Sequence, residues 1–181
     1  MTKVLGKAIK PGAMGWAGLT ILGFFLFLAL AAGILAPYGA NEQVSASFLV
    51  PSAEYLLGTD DLGYDIFSLL IWGTRISMLI GVSAALLGVG GGLIYGMIAG
   101  YAGGIVDKAL MRISDIFQSL PNIPLFILIA AYAGSSLRNI ILIIAIFAIP
   151  RIGRVISRQV ISLKQNAYVQ AAGMFGASPL Y

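Results

Sequence analysis

The chain has 181 residues, of which 59% are hydrophobic and 10% are charged, and its formal net charge is +4. A soluble domain carries about 25% charged residues because its surface must be hydrated, so this composition excludes a soluble domain and indicates a membrane protein. The absence of cysteine and histidine excludes disulfides, the usual zinc sites and catalysis by a Cys or His side chain.

The first apolar segment, residues 16–35, contains no charged residue. A transmembrane helix needs about 20 apolar residues to cross about 30 Å of hydrocarbon, so this segment is predicted to be the first span. Three lysines precede it, as in a signal peptide, but the apolar region of a signal peptide has only about 7–15 residues. A retained span after a cytoplasmic tail, residues 1–15, is therefore the preferred interpretation.

Residues 36–75 are predicted to form a loop outside the membrane, and they hold five of the seven acidic residues. The aspartates raise the alternative of a calcium loop, but the helix–loop–helix type closes with Glu at position 12. Counted from Asp60, that position is Ile71. Short turns shaped by aspartate and glycine are the preferred interpretation. The residues singled out here are Gly58, Thr59, Asp60, Gly63, Asp65 and Arg75.

The second span is predicted at residues 76–100, where small residues recur every four positions. They are Gly88, Gly92, Gly96 and Gly100, preceded by a similar set of Ser77, Gly81 and Ala85. Residues four apart share one helix face, and small side chains on that face let another helix approach closely. The spacing is compatible with packing inside the chain and with contact to a second subunit.

A cytoplasmic loop is predicted at residues 101–115 and a third span at residues 116–133. Pro121 and Pro124 are expected to kink this span, because proline supplies no backbone N–H. Arg112 and Asp115 are three residues apart at its start, which predicts a local ion pair at the membrane interface.

The fourth span is predicted at residues 137–156, although its charge-free core, residues 140–149, is short. It can cross the membrane if Arg138 and Arg151 extend towards opposite surfaces. No charged residue falls clearly at the middle of any predicted span.

The distribution of basic residues predicts the orientation. Lys and Arg concentrate on the cytoplasmic side of membrane helices, and a cytoplasmic N-terminus places nine of the 11 basic residues inside. The opposite orientation leaves two inside. The positive charge is therefore a topology signal, and no nucleic-acid partner is expected.

The remaining segment, residues 157–181, is predicted to be cytoplasmic. Tyr168, Ala171, Ala172 and Phe175 have the spacing of one helix face, and Gly176 is placed to end that helix. Periodicity alone also allows an interfacial helix that lies on lipid.

These segments resemble the second permease subunit of the oligopeptide, dipeptide and nickel importers of the ABC type. In that family the stretch before the second span reads roughly L-G-T-D-x-x-G-R-D, then S-R, then G-x-R-x-S. The matching positions here are residues 57–65, Ser68, Gly73, Arg75 and Ser77, with Tyr64 and Leu69 in place of two arginines. Residues 100–104, Asp107, Met111, Arg112, Asp115, Pro121, Arg154, and residues 162–164 also follow the family. The family's cytoplasmic signature, E-A-A-x-x-x-G, is matched by Gln170, Ala171, Ala172 and Gly176, with Gln170 replacing the glutamate.

The resemblance implies an all-α, polytopic membrane helical bundle in the cytoplasmic membrane. Family members have six spans, whereas four are predicted here, so the chain is expected to be a truncated permease that stops inside its coupling loop. The expected function is inward movement of peptides, nickel or a related small solute. The implied partners are a homologous permease, two cytoplasmic ATPase subunits and an external solute-binding protein.

The resemblance also implies that Tyr168, Gln170, Ala171, Ala172, Phe175 and Gly176 dock on an ATPase. ATP and Mg²⁺ are expected on those ATPase subunits, because this chain has no G-x-x-x-x-G-K-[ST] phosphate loop. No cofactor, metal site or enzymatic activity is expected in the chain itself.

Two alternatives remain at this point. The first is a nonfunctional truncated permease fragment. The second is a small self-contained channel or secondary carrier, which should show polar or ionisable residues near a midplane or matching repeats.

Overall fold

The computed structural model describes residues 12–134 and 136–176, and within them every regular element is a helix. In chain order the helices are α1 (Ala13–Leu30), α2 (Ala32–Leu35), α3 (Ile66–Ala102), α4 (Gly104–Ser119), α5 (Asn122–Ala133), α6 (Leu137–Lys164) and α7 (Ala167–Met174). The all-α prediction is confirmed. Most of the predicted tail, residues 1–11, and the last residues of the predicted coupling loop, 177–181, lie outside the described residues.

Three of these helices are long and apolar enough to cross a membrane, namely α1, α3 and α6, with mean hydropathy of 2.0, 1.9 and 2.1. A fourth crossing is counted if α4 and α5 form one broken span, since they pass the same test together and are bent by 87°. Many of their large apolar side chains are exposed, as expected where the solvent is lipid.

The chain divides into two compact units, residues 1–79 and 80–181. In the first unit, α1 and α2 are separated only by Ala31, whose N–H still donates to the Phe27 carbonyl at 2.9 Å. The loop that follows, residues 36–65, contains two isolated antiparallel bridges, Gln43 with Tyr64 and Thr59 with Asp65. It leads into the first part of α3.

The second unit contains the rest of α3 and the helices α4 to α7. Within it α6 contacts α4, α5 and α7. Six residues of α6 are buried, and so are six residues in the part of α3 that belongs to this unit. Pro150 is one of the buried residues of α6 and lies inside the helix. The core of this unit therefore lies along α6 and this part of α3.

Several helix bounds differ from the predicted segment boundaries. α3 starts at Ile66, ten residues before the second predicted span, so residues 66–75 of the predicted loop are helical. The predicted loop at residues 101–115 is mostly helix, since only Gly103 separates α3 from α4. Gly103 and Gly104 have φ of +63° and +53°, values that glycine adopts without steric cost. The chain therefore turns there without a long loop.

The third predicted span is two helices that meet at a sharp break between Ser119 and Asn122. A break at Pro121 agrees with the kink predicted there. Pro124, the other predicted kink, lies in the first turn of α5. The N–H groups of a first turn have no partner inside the helix, so proline removes no hydrogen bond there. Only Pro121 marks the break.

Candidate functional site

The segment singled out for coupling is a short helix placed directly after α6. Gln165 ends α6, and its N–H donates to the Ser162 carbonyl at 3.2 Å. The Asn166 carbonyl then accepts from the N–H groups of Val169 and Gln170, at 3.0 and 3.1 Å, which begins α7. α7 is thus joined to α6 by a two-residue turn with hydrogen bonds on both sides of it.

The α7 helix leaves its large side chains uncovered. Tyr168 is 67% exposed and Phe175, which follows the helix, is 91% exposed. Ala171 and Ala172 are also exposed, so the predicted face has no cover among the described residues. Gly176 has φ of +81°, the left-handed conformation that glycine commonly adopts just past a helix C-terminus. Exposed apolar and aromatic groups beside small alanines form a surface suited to a protein or lipid partner.

The four glycines of the second predicted span pack against α6 of the same chain. A Cβ built on Gly88 would lie 2.9 Å from Cβ of Ala148, and one on Gly92 would lie 2.6 Å from Cβ of Ile152. Larger side chains do not fit at such distances. The contact continues along both helices, with Gly96 against Ile156 and Gly100 against Val160.

This register also defines a direction. Each facing pair differs by 60 residue numbers along the whole contact. Because both numbers rise together, this part of α3 and α6 run parallel. The glycine face is occupied within the chain, whereas a Cβ on Gly81, from the preceding small-residue set, would meet nothing within 4 Å.

Two further glycines belong to this contact and were missed from the sequence. A Cβ on Gly91 would lie 2.7 Å from Cδ1 of Ile149, and one on Gly153 would overlap the ring of Tyr95. Gly153 and the buried Ser157 are four residues apart on α6. That spacing is a small-residue signal on α6, and it would have indicated that this helix also makes a close contact.

Polar contacts join α4 to the same two helices. The Tyr95 hydroxyl of α3 donates to the Leu110 carbonyl and lies 3.1 Å from Oγ of the fully buried Ser114. From α6, Ser157 Oγ donates to Asp107 Oδ1 at 2.8 Å. Hydrogen bonds in a low-dielectric interior are stronger than in water, so these contacts hold α3, α4 and α6 together.

Asp115 forms an ion pair with Arg154 of α6. The predicted local pair of Arg112 with Asp115 is therefore wrong. Arg154 Nη2 also donates to the Met111 carbonyl at 3.3 Å. A spacing of three residues on one helix allows an ion pair but does not require it. Here the cation comes from the neighbouring helix.

At the end of α6, Lys164 turns back to α3. Its Nζ donates to the Tyr101 carbonyl at 2.8 Å and lies 5.1 Å from the centre of the Tyr101 ring. A lysine there interacts favourably with the C-terminal carbonyls of a helix. The start of the coupling segment is thus held to the end of α3.

The motif of the predicted outer loop, in the first unit, makes mostly local contacts. Thr59 Oγ1 donates to the Ala46 carbonyl at 2.7 Å and accepts from Leu49 N at 2.9 Å. Asp60 Oδ1 accepts from the N–H groups of Leu62 and Tyr64, both at 2.9 Å. These side chains bond to backbone N–H and C=O groups that would pair with other backbone groups in a helix or sheet.

Asp65 precedes α3 and acts as its N-cap. Its Oδ2 accepts from the N–H of Ser68 at 2.8 Å and from Ser68 Oγ at 2.7 Å, the arrangement expected of a capping aspartate. Ser68 Oγ in turn accepts from Tyr38 N at 3.2 Å. Partial desolvation, then the nearby Tyr55, Glu54 and Asp65, raise the pKa of Tyr38.

The glycines and the arginine of this motif shape the loop and its edge. Gly58 and Gly63 have φ of +78° and +80°, and a Cβ on either would overlap a backbone carbonyl oxygen, of Leu49 and of Ser45 respectively. The guanidinium of Arg75 lies 5.6 Å from the centre of the Trp72 ring, a cation–π contact. Each motif residue thus has a structural partner within its own unit.

Comparison with known proteins places these features in a family. The sequence profile of the binding-protein-dependent transport system inner membrane component matches residues 92–181. Those residues include the end of the glycine contact, all of α4 to α6 and the coupling segment. The chain belongs to this family of membrane-embedded transporter permeases.

Several curated relatives are transport system permease proteins. The chain is 36% identical to the dipeptide transport system permease protein DppC of Bacillus subtilis over 94% of the chain and 54% of the relative. It is 38% identical to the glutathione transport system permease protein GsiD of Pectobacterium atrosepticum, over 90% of the chain and 54% of the relative. For the probable D,D-dipeptide transport system permease protein DdpC of Escherichia coli, the values are 39%, 94% and 57%. The chain spans a little over half the length of these relatives.

Proposed function

We propose that this chain acts as a permease subunit of an ABC importer that moves a peptide or a related small solute across the cytoplasmic membrane. The family match supports the permease role. The names of the relatives refer to dipeptides and glutathione, which favours a peptide-like solute over nickel. ATP, with Mg²⁺, is bound and hydrolysed by separate ATPase subunits, a solute-binding protein delivers the solute, and a homologous permease completes the pathway.

The proposed topology has four crossings with a cytoplasmic N-terminus. It is supported by the nine basic residues that this orientation places inside, and by the parallel contact of α3 with α6. Two parallel spans require the chain to return across the membrane between them. The segment available for that return is the bent pair of α4 and α5, so the pair counts as one crossing.

The observation that carries the proposed mechanism is the uncovered face of α7. This helix directly follows α6, which packs against α3 and α4. The face of Tyr168, Ala172 and Phe175 docks on an ATPase, with the alanine allowing close approach and the aromatic rings filling pockets. Movement of α7 then passes to α6 through the short turn at residues 165–166. From α6 it passes to α3 across the glycine contact and to α4 through Asp107 and Asp115. Transport follows from a shift between two states that differ in these contacts.

A crosslinking experiment tests the docking. The chain contains no cysteine, so Ala172→Cys, which changes an exposed residue, introduces a unique attachment point for a photoreactive crosslinker. In the complex assembled with its ATPase subunits, the crosslinker is expected to capture an ATPase. Val155→Cys, at a position of α6 that is 56% exposed, is the matched control and should not capture it. Capture of lipid alone from position 172 would refute docking and support the interfacial helix.

A labelling experiment tests the orientation independently. Ser47→Cys lies in the exposed loop of the first unit and should react with an impermeant thiol reagent added outside. Ser162→Cys, near the end of α6 and also exposed, should react only after the reagent gains access to the cytoplasm. The reverse pattern would overturn the orientation and, with it, docking of α7 on a cytoplasmic ATPase.

A further inference from the structure

An open cleft lies between α4 and α6. Its lining includes Asp107 and Ser157, whose hydrogen bond joins the two helices. Its volume is about 440 Å³, within the range of about 300–1,000 Å³ typical of small-molecule sites. Met111 and Ile161 line it with apolar groups, and Asp107, Arg158, Ser162 and Gln165 line it with polar groups. Asp107 and Ile161 also line an adjoining cavity of about 330 Å³.

The cleft contains one acid and one base that do not pair with each other. The only ion pair among the described residues joins Arg154 to Asp115. Asp107 uses Oδ1 to accept from Ser157, and no hydrogen bond reaches its other oxygen within the described part of the chain. Arg158 is exposed, and no acceptor in the described residues bonds to its guanidinium.

The neighbouring cations are already engaged. Arg154 is paired with Asp115, and Lys164, which lines the adjoining cavity, donates to the Tyr101 carbonyl. The unpaired charges of the cleft are therefore one negative and one positive, on opposite walls, since Asp107 belongs to α4 and Arg158 to α6. A ligand that carries both a cation and an anion is complementary to these two charges.

The cleft lies at the charged end of α6, the end that leaves the hydrocarbon. The charge-free stretch of this helix ends before Arg151, and Arg154 and Arg158 follow. Arginines at the end of a membrane helix extend to the interface, where lipid headgroups lie. The apolar wall at Met111 and Ile161 is then suited to the glycerol and upper acyl chain of a lipid.

We propose that this cleft binds the zwitterionic headgroup of a phosphatidylethanolamine, with the phosphate on Arg158 and the primary ammonium on Asp107. An arginine donates several N–H bonds to phosphate oxygens, and a carboxylate accepts from an ammonium. Ser162 and Gln165 supply further donors at the rim. A lipid held in this way bridges α4 and α6 immediately before the coupling segment.

Lipid titration followed by native mass spectrometry tests the site on the unaltered, delipidated chain in detergent. Three lipids with the same acyl chains separate the contribution of the phosphate from that of the ammonium. Phosphatidylcholine keeps the phosphate but has no N–H donors, and phosphatidylglycerol has no ammonium. Phosphatidylethanolamine is expected to bind about tenfold more tightly than either, which corresponds to about 1.4 kcal/mol. Equal binding of phosphatidylethanolamine and phosphatidylcholine, or tightest binding of phosphatidylglycerol, would overturn the proposal.

Two variants then assign the two charges. Arg158→Gln should weaken phosphatidylethanolamine and phosphatidylcholine alike, by about tenfold. Asp107→Asn, which can still accept the bond from Ser157, should weaken phosphatidylethanolamine more than phosphatidylcholine, because only the primary ammonium donates N–H bonds to the carboxylate. Arg151→Gln, at an exposed basic position of α6 outside the cleft, is the control and should change neither. An equal loss in the control would refute a defined site.

A competition experiment separates a lipid from a soluble zwitterion. Glycerophosphoethanolamine presents the headgroup alone, whereas glycylglycine presents an ammonium and a carboxylate. Glycerophosphoethanolamine is expected to displace the bound lipid at the lower concentration. Displacement by glycylglycine at the lower concentration would overturn the lipid assignment and identify the cleft as a site for peptide termini.

Discussion

The loop of the first unit and the glycine contact of the second unit both use glycine, for different reasons. In the loop, Gly58 has φ of +78°, which L-residues rarely adopt, and a Cβ there would also overlap the carbonyl oxygen of Leu49, nine residues earlier. In the helix contact, Gly92 has an ordinary helical backbone and is required by its neighbour, because Ile152 occupies the space of a side chain. The first requirement is local in sequence, and the second depends on a residue 60 positions away.

The same contrast holds for the polar residues. Asp60 bonds to residues two and four positions away, and Asp65 to a residue three positions away. Asp107 and Asp115 bond to α6, at 50 and 39 positions away. Local hydrogen bonds stabilise the shape of one segment, whereas distant ones make the position of one helix depend on another. Only contacts of the second kind can carry motion between helices.

The largest effect is expected from Gly92→Leu. The new side chain would have to displace Ile152, and overpacking of a close contact costs about 3 kcal/mol, at the upper end of its usual range. Thermal unfolding of the purified chain in detergent measures the loss. Val89→Leu, at a position that is 46% exposed, should leave the midpoint nearly unchanged. Equal stability of the two variants would show that α3 does not pack on α6 through this face.

A smaller pair of substitutions sharpens this result. Gly92→Ala adds only a Cβ, at 2.6 Å from Cβ of Ile152, whereas a Cβ on Gly90 meets nothing within 4 Å. Gly90→Ala should be neutral or stabilise by about 0.5–1 kcal/mol, since alanine favours a helix over glycine. Gly92→Ala is thus expected to lower the unfolding midpoint, and Gly90→Ala to leave it unchanged or raise it.

Gly58→Ala should cost about 1–3 kcal/mol, the usual range for a residue forced into an unfavourable backbone conformation. The loss is expected to stay in the loop, so hydrogen exchange should accelerate at the amide of Thr59, which donates to the Leu49 carbonyl. Gly39→Ala is the control, since its Cβ would make only an ordinary contact of 3.4 Å with Glu42. Faster exchange across α6 as well would contradict the local character of the loop.

Asp65→Ala should remove the N-cap of α3 at a cost of about 1 kcal/mol. The amide of Ser68 loses its acceptor and should exchange faster with solvent deuterium. Asp61→Ala removes an exposed carboxylate four residues before Asp65 and should leave the Ser68 amide protected. Unchanged protection in both variants would mean that the cap contributes nothing.

The smallest effect is expected from the ion pair of Asp115 with Arg154. The two side chains are 51% and 26% exposed, and pairs of this kind contribute about 0.2–1 kcal/mol. Asp115→Asn should lower stability by that amount at low salt, and less at high salt because screening weakens the pair. A double-mutant cycle with Arg154→Gln should give a coupling energy, whereas a cycle with Arg112→Gln should give none. Coupling to Arg112 instead would restore the local pair.

Much of the membrane character of this protein was determined by the sequence alone. The charge-free segments predict membrane helices, because hydrocarbon tolerates few charges whatever the tertiary arrangement. Gly58, Gly63 and Asp65 were predictable as turn and loop residues for a related reason, since their requirements are met within a few residues of chain. The coupling segment was singled out by spacing and by resemblance, and its place after α6 follows from chain order.

Only the tertiary structure decided which helix the glycines face, which cation pairs with Asp115 and which of the two prolines marks the break in the third predicted span. A four-residue repeat of small side chains marks a close contact but carries no information about the partner. Asp115 could reach Arg112 or a residue on another helix, and the choice was made by the packing of α4 against α6. Lipid solvates all apolar helix faces alike, so hydropathy could not distinguish the face that meets α6 from one that meets lipid.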